Sequence, residues 1–174
     1  MRDYYVLLAD ERIDRKVEPV SQELQGKDFE KLIAITVADA KEYTGRQGEY
    51  VDWLEYPLRM ASERMKVILE RYHLGLRAKR VDLIDRKRGE QHMYWAMHIP
   101  ELDCLSPESE FHPNRQLKKL VLDKERVKHH HLFTVAGIRE PYVIVSLEAA
   151  ESLLRRGLSG FVLRKVELAE GAAR

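Results

Sequence analysis

Short runs of aromatic and β-branched residues, separated by polar or Gly/Pro-marked stretches, dominate the chain and predict strands. The first run covers residues 4–9, from Tyr4 to Ala9. A charged stretch at 10–16 and a polar one at 19–27, with Gly26, read as connections. Residues 29–37 are ambiguous. Phe29, Leu32, Ile33 and Ala40 fit one helix face, whereas the branched Ile33, Ile35, Thr36 and Val37 favour a strand, which we place at 32–37. Gly45 and Gly48 mark a polar loop. In residues 51–58, Pro57 pushes Tyr56 to extended geometry and limits the segment to an edge strand or an ordered loop. Ser62 then suits a helix N-cap with Glu63 in the first turn. Met65, Ile68, Leu69 and Tyr72 form one apolar stripe, Arg71 and His73 suit the C-terminal end, and Gly75 suits the stop.

Residues 80–85 alternate loosely and 91–99 alternate well. Met93, Trp95, Met97 and Ile99 share one face, and His92, Tyr94, Ala96 and His98 the other; with the charged turn at 86–89 they predict a β-hairpin. Pro100, Pro107 and Pro113 break residues 100–114 into loop, which carries Glu101, Asp103, Glu108 and Glu110 and no Lys or Arg. Strands follow at 117–122, 132–135 and 142–145, with a turn at 123–125. Ser146 caps a helix with the stripe Leu147, Ala150, Leu153 and Leu154, and Gly157 ends it. The last strand spans 161–168, before a frayed tail at 170–174. No internal repeat interrupts this order. Strands dominate without regular βαβ alternation, so the predicted fold is α+β: a mostly antiparallel sheet with two or three helices packed on it. Length favours a single domain, 1–174, with room for a smaller N-terminal lobe at 1–50.

Composition adds exclusions. Of the 174 residues 44% are apolar, which excludes a disordered chain. A domain of this length hides about 70% of its unfolded surface, so it needs neither disulfide nor metal to fold. Lys and Arg number 30 against 29 Asp and Glu, a balance that argues against a general nucleic-acid coat. The balance is a cancellation. Residues 1–60 carry 9 basic and 13 acidic side chains, and residues 61–174 carry 21 and 16. Surface scatter is the ordinary explanation; one acidic and one basic face, each available to a partner, is the sharper one. The lone Cys104 cannot form an intramolecular bridge. No run reaches the roughly 18 apolar residues of a membrane span, and the apolar start is too short for a signal peptide, so the expected compartment is the cytoplasm, with no membrane partner.

Tests for chemistry return little. There is no glycine-rich phosphate loop and no cofactor motif, and no Cys-x-x-Cys or His-Glu-x-x-His accompanies the adjacent His129, His130 and His131. Cys104 lies between apolar neighbours and reads first as a buried thiol; a Cys–His pair with His98 is the enzymatic alternative. Ser109 lacks a nucleophile elbow and reads as a loop-tying serine. Asp103, Glu108 and Glu110 could act as paired carboxylates, but read better as an acidic surface facing solvent or a basic partner. Two basic clusters, Arg77, Lys79, Arg80, Arg86, Lys87 and Arg88, then Lys118, Lys119, Lys124, Arg126 and Lys128, are interleaved with acids and lack a stacking ladder of aromatics.

Several stretches together resemble a bacterial family. They are Trp53-Leu54-Glu55-Tyr56-Pro57-Leu58 followed by Met60-Ala61-Ser62-Glu63-Arg64-Met65; Leu102-Asp103-Cys104-Leu105 with Ser109-Glu110; Leu120-Val121-Leu122-Asp123 with Leu132-Phe133-Thr134-Val135-Ala136-Gly137; and residues 145–150 with Leu158-Ser159-Gly160-Phe161. Their order and spacing resemble the immunity proteins of bacterial polymorphic toxin systems, over residues 53–166. The resemblance implies a non-enzymatic protein that binds a cognate protein toxin stoichiometrically, with no catalytic residue and no cofactor. On that reading Trp53 and Tyr56 are candidate aromatic anchors, and Glu101, Asp103, Glu108 and Glu110 a candidate acidic contact surface that would meet the basic site of a nuclease toxin. Two alternatives stand beside it. One is a small enzyme using Cys104 or the Asp103/Glu108/Glu110 loop; the other is a nucleic-acid-binding module using the basic clusters, although no nucleic-acid partner is expected.

Overall fold

The computed structural model describes residues 2–171. In chain order the strands and helices are β1 (Tyr4–Ala9), β2 (Pro19–Val20), β3 (Ile35–Ala40), β4 (Trp53–Leu54), β5 (Met60–Ser62), α1 (Glu63–Glu70), β6 (Arg77–Asp85), β7 (Glu90–His98) and β8 (Glu101–Leu102). Then come β9 (Glu110–Phe111), β10 (Leu117–Lys119), β11 (Val121–Asp123), α2 (Lys124–Val127), β12 (Leu132–Val135), β13 (Val143–Ser146), α3 (Leu147–Arg155), β14 (Phe161–Lys165) and β15 (Glu167–Ala169). A six-stranded sheet has the order β2-β3-β6-β7-β5-β4, and a five-stranded sheet the order β14-β1-β13-β12-β8. Two small ladders, β9–β10 and β11–β15, complete the architecture. Most pairings are antiparallel; β3–β6, β8–β12 and β11–β15 are parallel. The fold is α+β, and no helix among the described residues is long and apolar enough to cross a membrane.

Three cores hold these layers. The first is built from Leu7 of β1, Trp53, Ala61 and Met97 of the six-stranded sheet, and Met65, Leu69, Ala149 and Leu153 of α1 and α3. The second lies on the other face of the six-stranded sheet, where Val81, Leu83, Tyr94 and Ala96 meet Val17, Leu24 and Leu32. The third covers the far side of the five-stranded sheet with Tyr4, Val6, Phe133, Ile144 and Cys104. The alternation of β7 maps onto this division: Met97 and Ile99 enter the first core, Tyr94 and Ala96 the second.

Several expectations need correction. The strand expected at 32–37 begins three residues later, because Phe29–Lys31 forms a 3-10 turn and Leu32 is spent in the second core. The helix after Ser62 stops at Glu70, well before Gly75; the Arg71 N–H turns to the Ile68 carbonyl, and Tyr72 instead bonds Ser152 through its hydroxyl. Residues 123–125 are not a free turn, since the Asp123 carboxylate accepts from the Glu125 and Arg126 N–H groups and starts α2. On α3 the buried face is Ala149, Ala150 and Leu153, leaving Leu147 and Leu154 exposed. The run at 161–168 is two strands, β14 in the five-stranded sheet and β15 beside β11. The tail read at 170–174 lies outside the described residues from Ala172 onward.

Candidate functional site

The corner from β4 to β5 is held by one carboxylate. Asp52 Oδ1 accepts from the Ser62 hydroxyl at 2.6 Å, and Oδ2 accepts from the Ser159 N–H at 2.8 Å. Backbone bonds run beside them, Asp52 N–H to the Ser159 carbonyl and Ser62 N–H to the Asp52 carbonyl. Ser62 Oγ also accepts from the Met65 N–H, so one hydroxyl caps α1 and anchors the corner. Gly160 makes the close approach possible. Its φ is +91°, and a Cβ there would lie 2.6 Å from Val51 Cβ and 2.9 Å from the Trp53 carbonyl oxygen.

Trp53 is fully buried in the first core, so it offers no surface to a partner; the candidate anchor is a packing residue. Its indole Nε1 donates to Glu55 Oε1 at 3.2 Å, which orients that carboxylate at the molecular surface. Tyr56 follows, 59% exposed. Glu55 and Tyr56 form one lip of a cleft of about 260 Å³, whose other wall is the 11–18 loop with Glu11, Asp14, Lys16 and Glu18. Lys16 is buried and lies 3.8 Å from the exposed Glu11, while Asp14 and Glu18 enter no ion pair among the described residues. With Lys41 at its far wall, the cleft sets four carboxylates against two ammonium groups.

A second cleft of about 300 Å³ adjoins it and shares Lys41 and Tyr43. Tyr43 is fixed as the common wall by donating to the Lys16 carbonyl at 2.8 Å. Here the lining sets Lys41, Arg46, Lys87 and Arg88 against Glu42 and Asp85; Lys87 and Arg88 pair with those two carboxylates, so the basic excess is Lys41 and Arg46. Tyr50 stacks on His92 at 3.5 Å between ring centroids and donates to Asp85; burial and that carboxylate push its phenol up to about 12, so the hydroxyl stays a donor. Part of the acidic excess of the first 60 residues thus lines a groove with one acidic and one weakly basic half. Residues 11–18 reach the segment before β4 through the Lys16–Glu49 bridge and the Val17 N–H to Glu49 carbonyl bond, long-range pairings with no local sequence signal.

The 101–110 carboxylates line neither cleft. All four are exposed, but Asp103 accepts from Arg126 at 2.7 Å and Glu110 pairs with Lys118 at 2.7 Å. Only Glu101 and Glu108 are left without an ion pair among the described residues, so the acidity legible in the sequence is halved in the fold.

Cys104 is not placed as a nucleophile. The thiol is completely buried beside Val6, Phe133 and Ile144, and burial pushes it up to about 12, whereas catalysis needs an accessible thiolate. His98 packs on Phe29, with ring centroids 5.5 Å apart. Cys104 is therefore expected to resist iodoacetamide at pH 8 in the folded protein and to react fully in denaturant; labelling of the native protein at a rate near that of free cysteine would contradict this. Ser109 ties its loop, donating to the Val121 carbonyl at 2.8 Å and accepting from the Val121 N–H at 3.0 Å. Among the described residues no group of three His, Cys, Asp or Glu side chains is arranged to hold a metal ion.

The nucleic-acid alternative loses its cations. Arg77, Arg80, Arg86, Lys87 and Arg88 pair with Glu30, Asp82, Asp39, Glu42 and Asp85, and Lys79 donates to the Phe29 and Leu32 carbonyls. In the second cluster Lys118, Lys119, Lys124, Arg126 and Lys128 pair with Glu110, Glu167, Glu170, Asp103 and Glu125. Cations matched to carboxylates leave less net positive charge to follow a phosphate backbone.

The model of the immunity protein family Imm11 matches residues 10–168, nearly the whole chain. No curated protein matches it.

Proposed function

Because the chain belongs to the immunity protein family Imm11, we propose that it is a non-enzymatic protein of the bacterial cytoplasm that binds a cognate toxin of a polymorphic toxin system and neutralises it. Family membership carries this reading, and the site chemistry agrees with it. The thiol is buried, most cations of the two basic clusters are ion-paired, and carboxylates without an ion pair line a cleft open to a partner surface.

Within that reading Tyr56 is the aromatic anchor, and Glu11, Asp14, Glu18 and Glu55 supply the charge that meets a basic toxin surface. The loop bearing Glu101, Asp103, Glu108 and Glu110 is a secondary contact, carried by Glu101 and Glu108. A nuclease toxin would present such a basic surface, since it must hold phosphates.

The test is co-expression with the product of the neighbouring gene, followed by affinity measurement. The wild type should rescue growth and co-purify with the toxin. Tyr56→Ala is expected to weaken binding by about 30-fold, the effect of a hot-spot residue worth about 2 kcal/mol, without moving the thermal midpoint. Glu11→Lys with Glu55→Lys should slow association most at low salt. If no toxin gene lies nearby and nothing co-purifies, the proposal falls; if Tyr56→Ala binds like the wild type, the anchor is misassigned.

A further inference from the structure

The first core covers only part of one face of the six-stranded sheet. In-register pairing runs a row across that face, Trp53–Ala61–Trp95–Arg80–Ile35. At the β4 end the row is roofed by α1 and α3. Lys66 of α1 lies over the Trp95 ring at 4.3 Å and marks the end of the cover. At the β3 end the same face is open: Ile35 is 53% and Val37 61% exposed, with Val20 (55%) beside them on β2 and Ile33 (62%) just before the strand. Four of the large apolar side chains exposed on this protein therefore sit together along β2 and β3, more than scatter requires.

Among the described residues the edge beside them is also unpaired. β2 pairs with β3 only at Asp39 and Ala40, then leaves. The Arg80 N–H donates to the Ala34 carbonyl, so the even-numbered residues of β3 aim their backbone groups at β6. By the alternation of a strand, Ile35 and Val37 aim theirs at the open edge. The flanking charges are matched internally: Arg77 with Glu30, Arg80 with Asp82, and Arg86 with Asp39. What remains to be matched is apolar surface and strand hydrogen bonds.

We infer that β3 is a docking edge for an extended, apolar segment of the toxin, which adds as a strand beside Ile35–Val37 along the line β2 leaves. This rests on the functional reading above and extends its surface. β2 and β3 run directly into the groove, through Glu18 on one side and Ala40, Lys41 and Glu42 on the other. The apolar edge and the charged clefts form one continuous surface, an apolar centre with a charged flank, the usual anatomy of an interface. A second copy of this chain fits less well. Antiparallel pairing of β3 with its twofold mate would carry the two grooves to opposite ends of the joined strands, leaving both unfilled. Four side chains alone fall short of the roughly 800 Å² per partner of a stable complex.

The experiment compares toxin binding by the wild type, Val37→Asp, Val37→Pro and Val37→Thr, with amide hydrogen exchange of the wild type in the free and bound states. Val37→Asp and Val37→Pro should bind at least 10-fold more weakly at unchanged thermal midpoints. Val37→Thr, which keeps the branch and the N–H, should stay within about threefold. The Ile35 and Val37 amides should gain protection on binding, a readout that stands even if a variant fails to fold. If the wild type binds but those amides stay unprotected, or Val37→Pro binds normally, strand addition is wrong while the immunity reading survives. If the wild type does not bind toxin, both fall. A dimer of the free protein that Val37→Asp dissolves would make a second copy the occupant and overturn the inference.

Discussion

Trp53→Ala is expected to lower the unfolding free energy by about 3–5 kcal/mol, the usual cost of emptying a buried aromatic site. The indole is fully buried among Ala61, Met65, Leu69 and Leu158, where two helices and a sheet converge, so no single neighbour can collapse into the space. A domain has only about 5–15 kcal/mol to lose. The thermal midpoint should fall by roughly 10 °C, and protection against the toxin should fall with the concentration of folded protein. Trp53→Phe separates packing from positioning. It keeps most of the ring and removes the Nε1 donor to Glu55, so it should remain folded and bind toxin more slowly because the carboxylate is no longer aimed. Thermal unfolding with association kinetics for both variants checks this. A small stability change for Trp53→Ala with a large loss of affinity would return Trp53 to the interface.

The contrast between Trp53 and Tyr56 shows where the sequence was legible. Both lie in one aromatic segment that ends at a proline, and nothing local distinguishes them. The difference is made by pairing of β4 with β5 and the roof of α1 and α3, which turn Trp53 inward and leave Tyr56 at the lip of a cleft. Local chemistry was readable: the serine caps of α1 and α3, the β6–β7 hairpin and the two faces of β7 all follow from short-range rules. Charge was readable as an amount but not as an arrangement. The 101–110 carboxylates looked like the acidic face because they are contiguous, yet Arg126 and Lys118 fold back onto two of them. The acidic cleft is assembled from residues 11–18 and 55–56, which meet only through long-range strand pairing. The β3 edge escaped for a similar reason. Alternation placed branched residues near the right positions, but how much of that face the first core covers, and how much it leaves to a partner, is decided by where the helices stop.

Asp52→Ala is expected to cost about 2–4 kcal/mol. Its carboxylate is nearly buried and accepts from two donors on different segments, the Ser62 hydroxyl and the Ser159 N–H. The hydroxyl of Ser62 can rotate to another acceptor, but the Ser159 N–H is fixed by the turn before Gly160 and would be left without a partner. Asp52→Asn should be milder, about 1 kcal/mol, because its carbonyl can accept from Ser159 while its amide donates to Ser62 Oγ. Ser62→Ala removes both the α1 cap and one Asp52 partner. The double variant Asp52→Ala/Ser62→Ala should therefore lose less than the sum of the single losses, since the two groups serve one another. Denaturant unfolding of the four proteins measures the coupling. Strict additivity would mean that the corner is held by its backbone bonds alone. The functional consequence is specific: Asp52 joins the turn at Ser159 to the start of β4, and β4 delivers Glu55 and Tyr56. A corner loosened at Asp52 should weaken toxin binding more at Tyr56 than at Val37, because β3 is held by its own pairing with β6.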